Sequence, residues 1–412
     1  MSNALTLSLA DALPPLAAIA GAEHVQLGEE AISVSPANVW QIADVLRFAR
    51  EHALAVTPSG GGTKLQWGNP VTPRIRLVMS RMNALRAHSW RDMTCSVEAG
   101  CTWDEIESQL ARHGQMVALD PLWPAHATIG GIAAANDGGS LRIRYGGLRD
   151  LIIGMTVVLA DGTIARTGGN VVKNVAGYDL HKLMIGSLGT LGVIADVNFR
   201  LHPMETQSRT WTAEASDPLQ LEAPLRALFD SRIVPSGVQI RTDAQHCALD
   251  IRVAATPACL DDHAAQLEAF FAPILVRESS EPVWGARRNL FDQFNRADDA
   301  IILKAARLPS RICSTLSELR GSSSAHGAAF TAVAQCNGLI DIALQTPPDA
   351  SIELIGHLRR QGSVVVLQLP AELRGRIDAW SCDSSALPLM REIKRRFDPE
   401  RILNPGRFVG NI

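Results

Sequence analysis

Apolar positions recur along this chain with two periods, about 3.6 residues in some stretches and two in others, which indicate helices and strands. Between residues 35 and 52, the apolar side chains that share one helical face are Val39, Ile42, Ala43, Leu46 and Ala49. Ser35 and Pro36 precede them, and we expect the helix to begin there because serine caps helices and proline fits a first turn. Strands are predicted on either side of the next glycine-rich stretch, over residues 53–58 and 74–82.

The rest of the first half continues with strands and one short helix. A strand is predicted over residues 94–100 and a helix over 102–114, in which Thr102 and Glu105 have capping-box spacing and Gly114 provides a stop. Residues 151–167 read as a hairpin that turns at Asp161-Gly162. A further strand over 191–203 ends at Pro203.

From about Arg209 the pattern changes to strands and helices of similar length. Helices are predicted over residues 218–231, 260–272, 310–321 and 350–362, with strands between them. Their order suggests two successive βαββαβ units, which indicate an antiparallel sheet covered by helices on one face. The last segment is a basic helix halted by Asp398-Pro399, followed by an extended tail. Its basic residues favour a solvated or docking face.

Composition excludes several classes of partner. The 412 residues are 46% apolar and 20% charged with a net charge of −3, and without a basic stripe nucleic acid is not expected as a partner. Residues 1–24 lack a basic start before an apolar run, so no secretion signal is predicted. No stretch has the roughly 20 apolar residues of a membrane helix. These features predict a soluble cytoplasmic protein.

Cysteine and histidine spacing predicts no metal site. The cysteines are scattered and form no CxxC pair: Cys95, Cys101, Cys247, Cys259, Cys313, Cys336 and Cys382. We interpret them as small buried residues in a reducing compartment. The histidines show no HExxH or other ligand spacing.

The stretch AVTPSGGGTKLQWG, residues 55–68, carries three consecutive glycines after a predicted strand. A Walker A loop requires GxxxxGK[ST], and here Leu65 follows Lys64, so that motif fails. The GxGxxG dinucleotide fingerprint fails as well. Successive glycine N–H groups can still form an anion-binding nest, to which Thr63 adds a hydroxyl. The alternative is a flexible loop between strands.

A second glycine cluster favours the anion-binding interpretation. Residues Thr128 to Gly131 run into a short alanine-rich helix, and an irregular glycine-rich stretch follows over residues 136–146. Glycines there allow a bulky planar ligand to approach the backbone. Two such clusters about seventy residues apart fit a large diphosphate ligand better than a single phosphate.

Five segments together resemble one protein family: TPSGGGTKL, DPLWPAHATIGGIAAAN, IRYGGLRDLIIGMTVVLADGTI, GGNVVKNVAGYDLHKLMIGSLGTLGVI and FDPERILNPGRF. They are similar to the vanillyl-alcohol-oxidase, or PCMH-type, FAD-binding superfamily, and within it to the FAD-binding E subunit of glycolate oxidase (glycolate dehydrogenase) complexes. The resemblance implies an α+β fold with a PCMH-type FAD-binding domain of two α+β subdomains over residues 28–206. It also implies an α+β antiparallel-sheet cap over 207–380 and a C-terminal segment, 381–412, that packs on the FAD domain.

The resemblance also implies which residues hold FAD. The diphosphate would lie over Pro58, Ser59, Gly60, Gly61, Gly62 and Thr63, and a second wall would consist of Asp120, Pro121, Thr128, Ile129, Gly130, Gly131, Asn136, Gly139, Tyr145 and Gly146. Backbone contacts from Val193 and Ile194 would hold the adenine, and Asn404 and Arg407 would return near the flavin. Relatives attach FAD through a histidine or cysteine in these segments. Neither residue occurs there, so we expect non-covalent FAD.

No catalytic residue is assigned from the sequence. The GHxGDGNxH-type motif of related 2-hydroxy-acid dehydrogenases is missing, and His326 is interpreted as a loop histidine rather than a base. Arg142, Arg144 and Arg149 either clamp a substrate carboxylate or belong to a solvated loop or subunit contact. Lys173 either lies near the flavin or braces its loop with Asp179. Tyr178 and Leu188 are expected to pack the domain.

The resemblance leaves three hypotheses of function. The first is an FAD-binding subunit that takes part in oxidising glycolate to glyoxylate, beside a second, catalytic FAD-binding subunit and an iron–sulfur subunit. The second is a free-standing FAD-linked 2-hydroxy-acid dehydrogenase, and the third is a structural flavin module without turnover. In the first, the substrate is a small 2-hydroxy acid, and the protein is cytoplasmic and reaches the inner membrane only through its partners.

Overall fold

The computed structural model describes residues 7–169, 178–294, 300–381 and 385–412. Within these ranges the α-helices are α1 (Leu9–Ala20), α2 (Val39–Glu51), α3 (Trp103–Ala111), α4 (Ile129–Ala135), α5 (Arg142–Tyr145), α6 (Leu148–Leu151), α7 (His181–Met184), α8 (Glu222–Asp230), α9 (Pro257–Phe271), α10 (Ala286–Phe294), α11 (Ile312–Ala325), α12 (Pro348–Arg360) and α13 (Leu387–Phe397). No helix of the described part is long and apolar enough to cross a membrane.

The strands of the described residues run in chain order as follows. They are β1 (Val25–Leu27), β2 (Ile32–Val34), β3 (Val56–Ser59), β4 (Ile75–Val78), β5 (Leu85–Ser89), β6 (Thr94–Glu98), β7 (Gln115–Met116), β8 (Ile152–Val158), β9 (Ile164–Gly168), β10 (Val193–Arg200), β11 (His202–Pro203), β12 (Ser208–Glu214), β13 (Gly237–Asp243), β14 (Cys247–Ala254), β15 (Val276–Glu278), β16 (Ile301–Ala306), β17 (Ala329–Gln335), β18 (Leu339–Gln345) and β19 (Val364–Gln368).

The chain divides into two units, which differ from the predicted domains in two segments. The first unit comprises Met1–Asp137, Gly147–Met204 and Cys382–Ile412, and the second comprises Gly138–Gly146 and Glu205–Ser381. The predicted FAD domain began at residue 28, but α1 buries Leu16 in the core of the first unit. Residues 138–146, predicted within the FAD domain, group with the second unit because Ile143 packs against that unit's core.

The first unit is built on two main β-sheets, each accompanied by helices. One sheet has the order β1-β2-β4-β3, in which β4 pairs in parallel with both β2 and β3. The other sheet has the order β5-β6-β10-β8-β9 and is antiparallel. One apolar core includes residues of both sheets together with α1, α2 and α3. This arrangement agrees with the predicted two α+β subdomains.

The second unit is built on an eight-stranded antiparallel sheet of order β15-β12-β14-β13-β17-β18-β16-β19. Its elements follow in the order β12-α8-β13-β14-α9-β15 and then β16-α11-β17-β18-α12-β19, so the predicted double βαββαβ repeat is confirmed. The two halves have mirrored strand orders and meet at β13 and β17. Alternate strand residues such as Ile240 and Ile342 enter the apolar core, and those between them face the other side of the sheet.

Several local predictions can be compared with these elements. The hairpin β8–β9 turns at Asp161-Gly162 as expected, and α13 ends at Phe397 directly before Asp398-Pro399. The start of α2 was predicted wrongly. Its cap is Asn38, whose side-chain oxygen accepts hydrogen bonds from the N–H groups of Trp40 and Gln41 at 3.0 Å each. Helices α1, α5, α6, α7 and α10 and strands β1, β2, β5, β7 and β15 were not predicted as separate elements.

The described cysteines agree with the predicted role at all positions but one. Cys95, Cys101, Cys247, Cys313 and Cys336 are buried, whereas Cys259 is exposed on α9. Burial raises the pKa of the Cys95 thiol to about 12 and that of Cys247 to about 11, so these thiols stay protonated at neutral pH. Cys382 lies outside the described residues.

Candidate cofactor-binding site

A cleft opens in the first unit where three glycine-containing turns meet. Its lining residues are Pro58, Ser59, Gly60, Gly61, Gly62, Thr63, Lys64, Leu65, Met79, Ala99, Thr128, Gly130, Gly131, Ala134, Ala135, Leu188, Gly189, Gly192, Ile194 and Arg407. The first turn follows β3, the second leads into α4, and the third precedes β10. Much of the wall is therefore backbone and small side chains.

The triple glycine allows the first turn to lie directly against the second. A side chain at Gly60 would overlap the hydroxyl oxygen of Thr128, and one at Gly61 would overlap the backbone carbonyl of His126. Gly62 has φ +75°, a conformation that residues with a side chain rarely adopt. The glycines thus bring two loops into contact and leave the backbone of residues 59–63 along the cleft.

The second turn uses glycine for packing as well. Helix α4 spans seven residues, and a Cβ at Gly130 would come within 2.8 Å of the Ala99 Cβ. Gly130 therefore lets α4 approach the end of β6. Gly131 has room for a side chain, since only Thr128 Oγ1 lies within 4 Å of its ideal Cβ.

The third turn was not predicted as part of the site. Leu188 has φ +51°, donates its N–H to the Ala134 carbonyl at 2.9 Å, and is 7% exposed. Its own carbonyl accepts a hydrogen bond from Asn404 Nδ2 at 2.7 Å. Gly186 and Gly189 flank it with positive φ. The glycine-rich sequence GSLGTLG is the signal that could have identified this wall.

The C-terminal segment connects to both the first and third turns through Asn404 and Arg407. Thr57 Oγ1 donates to Asn404 Oδ1 at 2.7 Å, and the other amide atom of Asn404 bonds Leu188. The Arg407 guanidinium donates to the carbonyls of Trp67 at 3.0 Å and of Lys64 at 2.9 Å. Burial lowers the pKa of Arg407 to about 10. Both side chains therefore hold the loops that form the cleft.

A buried ion pair fixes the C-terminal segment itself. Lys394 Nζ lies 2.6 Å from Asp398 Oδ2 and also donates to the carbonyls of Thr190 and Leu403 at 2.7 and 2.9 Å. Asp398 accepts the N–H groups of Ile402 and Leu403. Burial lowers the pKa of Lys394, opposed by the Asp398 carboxylate. The pair joins the end of α13 to the turn before β10.

A second buried pair lies at the wall of the cleft. Lys64 Nζ is 3.1 Å from Asp137 Oδ2, and their side chains are 6% and 0% exposed. The same carboxylate oxygen accepts the N–H of Leu122 at 2.9 Å. Neither Lys64 nor Asp137 was predicted as a site residue. Lys64 entered the sequence prediction only through a Walker A motif that fails, and no sequence spacing linked this lysine to Asp137.

Family models match two segments that contribute to this cleft. Residues 31–168 match the family described as FAD binding domain, and residues 379–408 match the C-terminal domain of FAD linked oxidases. Two segments of the chain are thus similar to FAD-linked oxidases, and together they cover less than half of its length. The solved structure of p-cresol methylhydroxylase with substrate bound superposes with a TM-score of 0.75 over 96% of each chain at 16% identity. The predicted PCMH-type fold is confirmed.

Sequence relatives of the chain include proteins named as dehydrogenases and as an oxidase subunit. The chain is 36% identical over 179 residues to mitochondrial D-lactate dehydrogenase (cytochrome) of Arabidopsis thaliana, which is 43% of this chain and 31% of that protein. It is 31% identical over 207 residues to glycolate oxidase subunit GlcD of Bacillus subtilis, 50% of this chain and 44% of the subunit. The chain thus matches less than half the length of these two relatives.

A third relative aligns along most of the chain. Mitochondrial D-2-hydroxyglutarate dehydrogenase of Bos taurus is 26% identical over 428 residues, 93% of this chain and 77% of that protein. This alignment extends well beyond residues 31–168.

The match to an FAD binding domain indicates FAD as the cofactor, and the cleft fits it. A diphosphate accepts hydrogen bonds from N–H donors, and the cleft offers the glycine backbone of residues 60–62. Lys64 and Arg407 add positive charge at the wall, although their polar groups bond other parts of the protein. Neither aspartate nor glutamate is among the described lining residues. At Gly60 and Gly61, a side chain would force apart the two loops that form the walls. Whether FAD is held without a covalent bond stays a prediction.

The structure brings only part of the predicted FAD-binding set to this cleft. The predicted residues that line it are Pro58, Ser59, Gly60, Gly61, Gly62, Thr63, Thr128, Gly130, Gly131, Ile194 and Arg407. Those in the first unit that are not lining residues are Asp120, Pro121, Ile129, Asn136, Val193 and Asn404. Ile129 and Val193 are each 1% exposed within the apolar core, and Asn136 ends α4 with φ +48°.

Gly139, Tyr145 and Gly146 belong to the second unit. Tyr145 donates its hydroxyl to Glu205 Oε1 at 3.0 Å, and burial followed by the Glu205 charge raises the pKa of Tyr145. Their predicted FAD contacts stay predictions.

The candidate substrate-binding arginines are divided between the units. Arg142 and Arg144 lie on α5 in the second unit, and Arg149 lies on α6 in the first. The Arg144 guanidinium lies 5.6 Å from the Tyr145 ring centroid and donates to the Val234 carbonyl at 3.3 Å. All three arginines are exposed.

The remaining candidate residues contribute no identified catalytic group. His326 caps the end of α11, and its pKa is raised by the Ser322 carbonyl and by Glu353, whose carboxylate lies at 3.1 Å. Tyr178 is 88% exposed, so the prediction that it packs the domain is wrong. Asp179 pairs with Lys182 at 2.6 Å, and Lys173 lies outside the described residues.

Proposed function

We propose that this chain is an FAD-binding subunit of a 2-hydroxy-acid dehydrogenase complex that oxidises glycolate to glyoxylate. The observation that carries the proposal is a well-formed cleft that fits FAD in the first unit, together with a second unit whose sheet presents no histidine. Its four histidines, His246, His263, His326 and His357, lie in a hairpin turn, on α9, at the end of α11 and on α12. In the proposal, a partner subunit supplies the base.

In this proposal the first unit holds and orients FAD, which accepts the electron pair from the substrate or from a partner's flavin. The backbone of Gly60, Gly61 and Gly62 contacts the diphosphate, and the turn at Leu188 to Gly192 contacts the adenine side with Ile194. Asn404 and Arg407 act by holding these turns, as their hydrogen bonds to protein carbonyls indicate. An iron–sulfur subunit receives the electrons, and the complex reaches the membrane through its partners.

A free-standing 2-hydroxy-acid dehydrogenase is the second candidate. It is favoured by the match to the C-terminal domain of FAD linked oxidases and by the alignment with D-2-hydroxyglutarate dehydrogenase over 93% of this chain. In that case the substrate proton passes to a residue of this chain. The third candidate is a flavin that serves only structure.

The test is an anaerobic visible spectrum of the purified, FAD-loaded chain. Glycolate, D-lactate and D-2-hydroxyglutarate are added in turn, first to the chain alone and then with a catalytic FAD subunit and an iron–sulfur subunit. Bleaching of the flavin band near ~450 nm only with the partners supports the proposal. Bleaching of the chain alone contradicts it and favours the free-standing enzyme. No bleaching in either case favours the structural flavin.

A further inference from the structure

The Lys64–Asp137 pair connects three separate segments around the cleft. Lys64 belongs to the glycine turn after β3, and Asp137 follows α4. Through its bond from the Leu122 N–H, the Asp137 carboxylate also reaches the loop before that helix. One oxygen atom, Asp137 Oδ2, therefore receives donors from both of the other segments.

The surroundings of the Lys64 ammonium group are aromatic. The Trp123 ring centroid lies 5.3 Å from Nζ and the Trp67 ring centroid 5.8 Å from it, distances at which ring and cation attract one another. Both tryptophans also belong to the loops that the pair connects. The ammonium group is thus confined by a carboxylate and two rings.

Burying such a pair is not by itself a gain in stability. The cost of removing two charges from water often equals their attraction, and a well-packed apolar pair of similar size is frequently as stable. A buried pair does, however, restrict the geometry in which its partners satisfy each other. At this position the restricted geometry is the distance between the glycine turn and the end of α4, both of which line the cleft.

We infer that Lys64 and Asp137 are a positioning pair that sets the width of the FAD cleft, so that FAD affinity depends on the pair rather than on the lysine charge alone. The inference rests on the proposal that this cleft binds FAD. The alternative is a direct contact between the Lys64 ammonium group and a phosphate of FAD. In that case Asp137 would weaken FAD binding, and removing its carboxylate would leave the FAD affinity unchanged or improve it.

The experiment is an FAD titration of the apo form of the full chain, followed by flavin fluorescence. The variants are Lys64→Met, Asp137→Asn and the double variant K64M/D137N. The matched control is R50M/E400Q, which removes an exposed pair of the same unit with an N–O distance of 2.8 Å. The melting temperature of each apo protein is recorded in parallel.

We expect each single variant to raise the Kd for FAD by about tenfold or more, and the double variant to raise it by about the same factor, because one interaction is lost in all three. The control keeps the wild-type Kd. The apo form of the double variant, which leaves no buried charge unpaired, is expected to melt near the control temperature.

Wild-type affinity in D137N or in the double variant would overturn the inference. Failure of a single variant to fold leaves the decision to the double variant. Failure of the double variant to fold would also overturn it, since the pair would then serve the fold rather than the cleft. If the wild-type chain itself binds no FAD, the cleft assignment in the proposed function fails instead.

Discussion

The two units of this protein both bury ion pairs, but they use them differently. In the first unit, Lys64–Asp137 and Lys394–Asp398 tie loops and the C-terminal segment together around the cleft. In the second, Asp250 lies on β14 within the sheet and accepts bonds from Thr212, Gln239 and Arg241 on the two neighbouring strands, β12 and β13.

This difference reflects what each unit must specify. A regular antiparallel sheet fixes its own register through alternation of apolar and polar positions. The cleft consists of turns, which have no ladder of strand hydrogen bonds to fix them. Glycines, buried charges and side chains of the C-terminal segment must therefore hold these turns in place. We therefore expect damage to the first unit to release FAD and equivalent damage to the second to affect stability alone.

The largest loss of FAD is expected from Gly61→Ala. Its methyl group would overlap the backbone carbonyl of His126, which cannot rotate away, and overpacking of this kind costs up to about 3 kcal/mol, a factor of about a hundred. The FAD-to-protein ratio after gel filtration should fall close to zero. Gly321→Ala on α11 is the control, because its Cβ has open space and alanine favours a helix. Stoichiometric flavin in Gly61→Ala would contradict the role of this glycine.

Lys394→Met should give the next largest effect. It leaves Asp398 unpaired at 0% exposure, and breaking a buried pair costs about 3–5 kcal/mol. Urea unfolding should show this loss together with weaker FAD binding. Arg395→Met removes an exposed contact to Glu392 and is expected to leave the urea midpoint close to that of the wild type. Equal stability of the two variants would show that the C-terminal anchor is dispensable.

Asp250→Asn is the matching change in the second unit. Arg241 is 30% exposed and can turn toward water, so the expected loss lies at the lower end of the range, about 3 kcal/mol. FAD affinity should equal that of the wild type, since all residues that line the cleft belong to the first unit. Loss of flavin from this variant would break the comparison between the units.

His181 on α7 predicts a pH dependence. Burial lowers its pKa below the usual 6.5, so the unfolded chain binds a proton more readily than the folded one. Stability is therefore complete above pH 6.5 and falls as the pH drops toward the lowered folded pKa, by on the order of 1 kcal/mol. Urea midpoints measured from pH 7.5 to 5 should show this loss in the wild type and a flatter profile in His181→Gln. Parallel pH profiles of the wild type and His181→Gln would rule out His181 as the source of the stability loss.

The smallest effect is expected at the start of α3. The Thr102 hydroxyl and N–H donate to Glu105 Oε2 at 2.7 and 3.1 Å, and these bonds lower the pKa of Glu105 below 4.5. Thr102→Ala should cost about 0.5 kcal/mol at neutral pH, a small value because the site is exposed. The difference from the wild type should shrink as the pH falls below 4.5 through the lowered pKa, because protonation weakens the bond. A stability difference that stays constant with pH would show that the loss in Thr102→Ala comes from helix propensity rather than from the bonds to Glu105.

Local sequence patterns predicted the regular elements better than the site. The hairpin at Asp161-Gly162, the capping box at Thr102 and the double βαββαβ repeat were visible because their signals lie within a few residues. Helix α1 was missed because Pro14 and Pro15 lie inside it, and packing of Leu16 in the core outweighs that penalty. The start of α2 was misread because two good caps, Ser35 and Asn38, stand three residues apart.

At the site, sequence motifs identified two of the three turns. Residues 58–63, 128, 130 and 131 line the cleft as the resemblance implied. Leu188 was expected only to pack the domain, and the glycines on either side of it were not interpreted as a turn of the site. Asp137 belongs to no recognised sequence motif. Its partner Lys64 lies more than seventy positions earlier in the chain, so no local pattern connects the two residues.

The sequence by itself indicated an α+β fold with glycine-rich turns suited to an anion, because glycine-rich turns and period-two strands are local properties of a chain. The FAD cofactor and the segments that surround it were implied by the resemblance to a known superfamily. Only the tertiary structure decided what each residue does there. Gly60 and Gly61 join two loops, Asn404 holds Leu188 and Thr57, and Lys64 meets Asp137. These roles depend on contacts between distant segments, and such contacts form only when the whole unit closes around one apolar core.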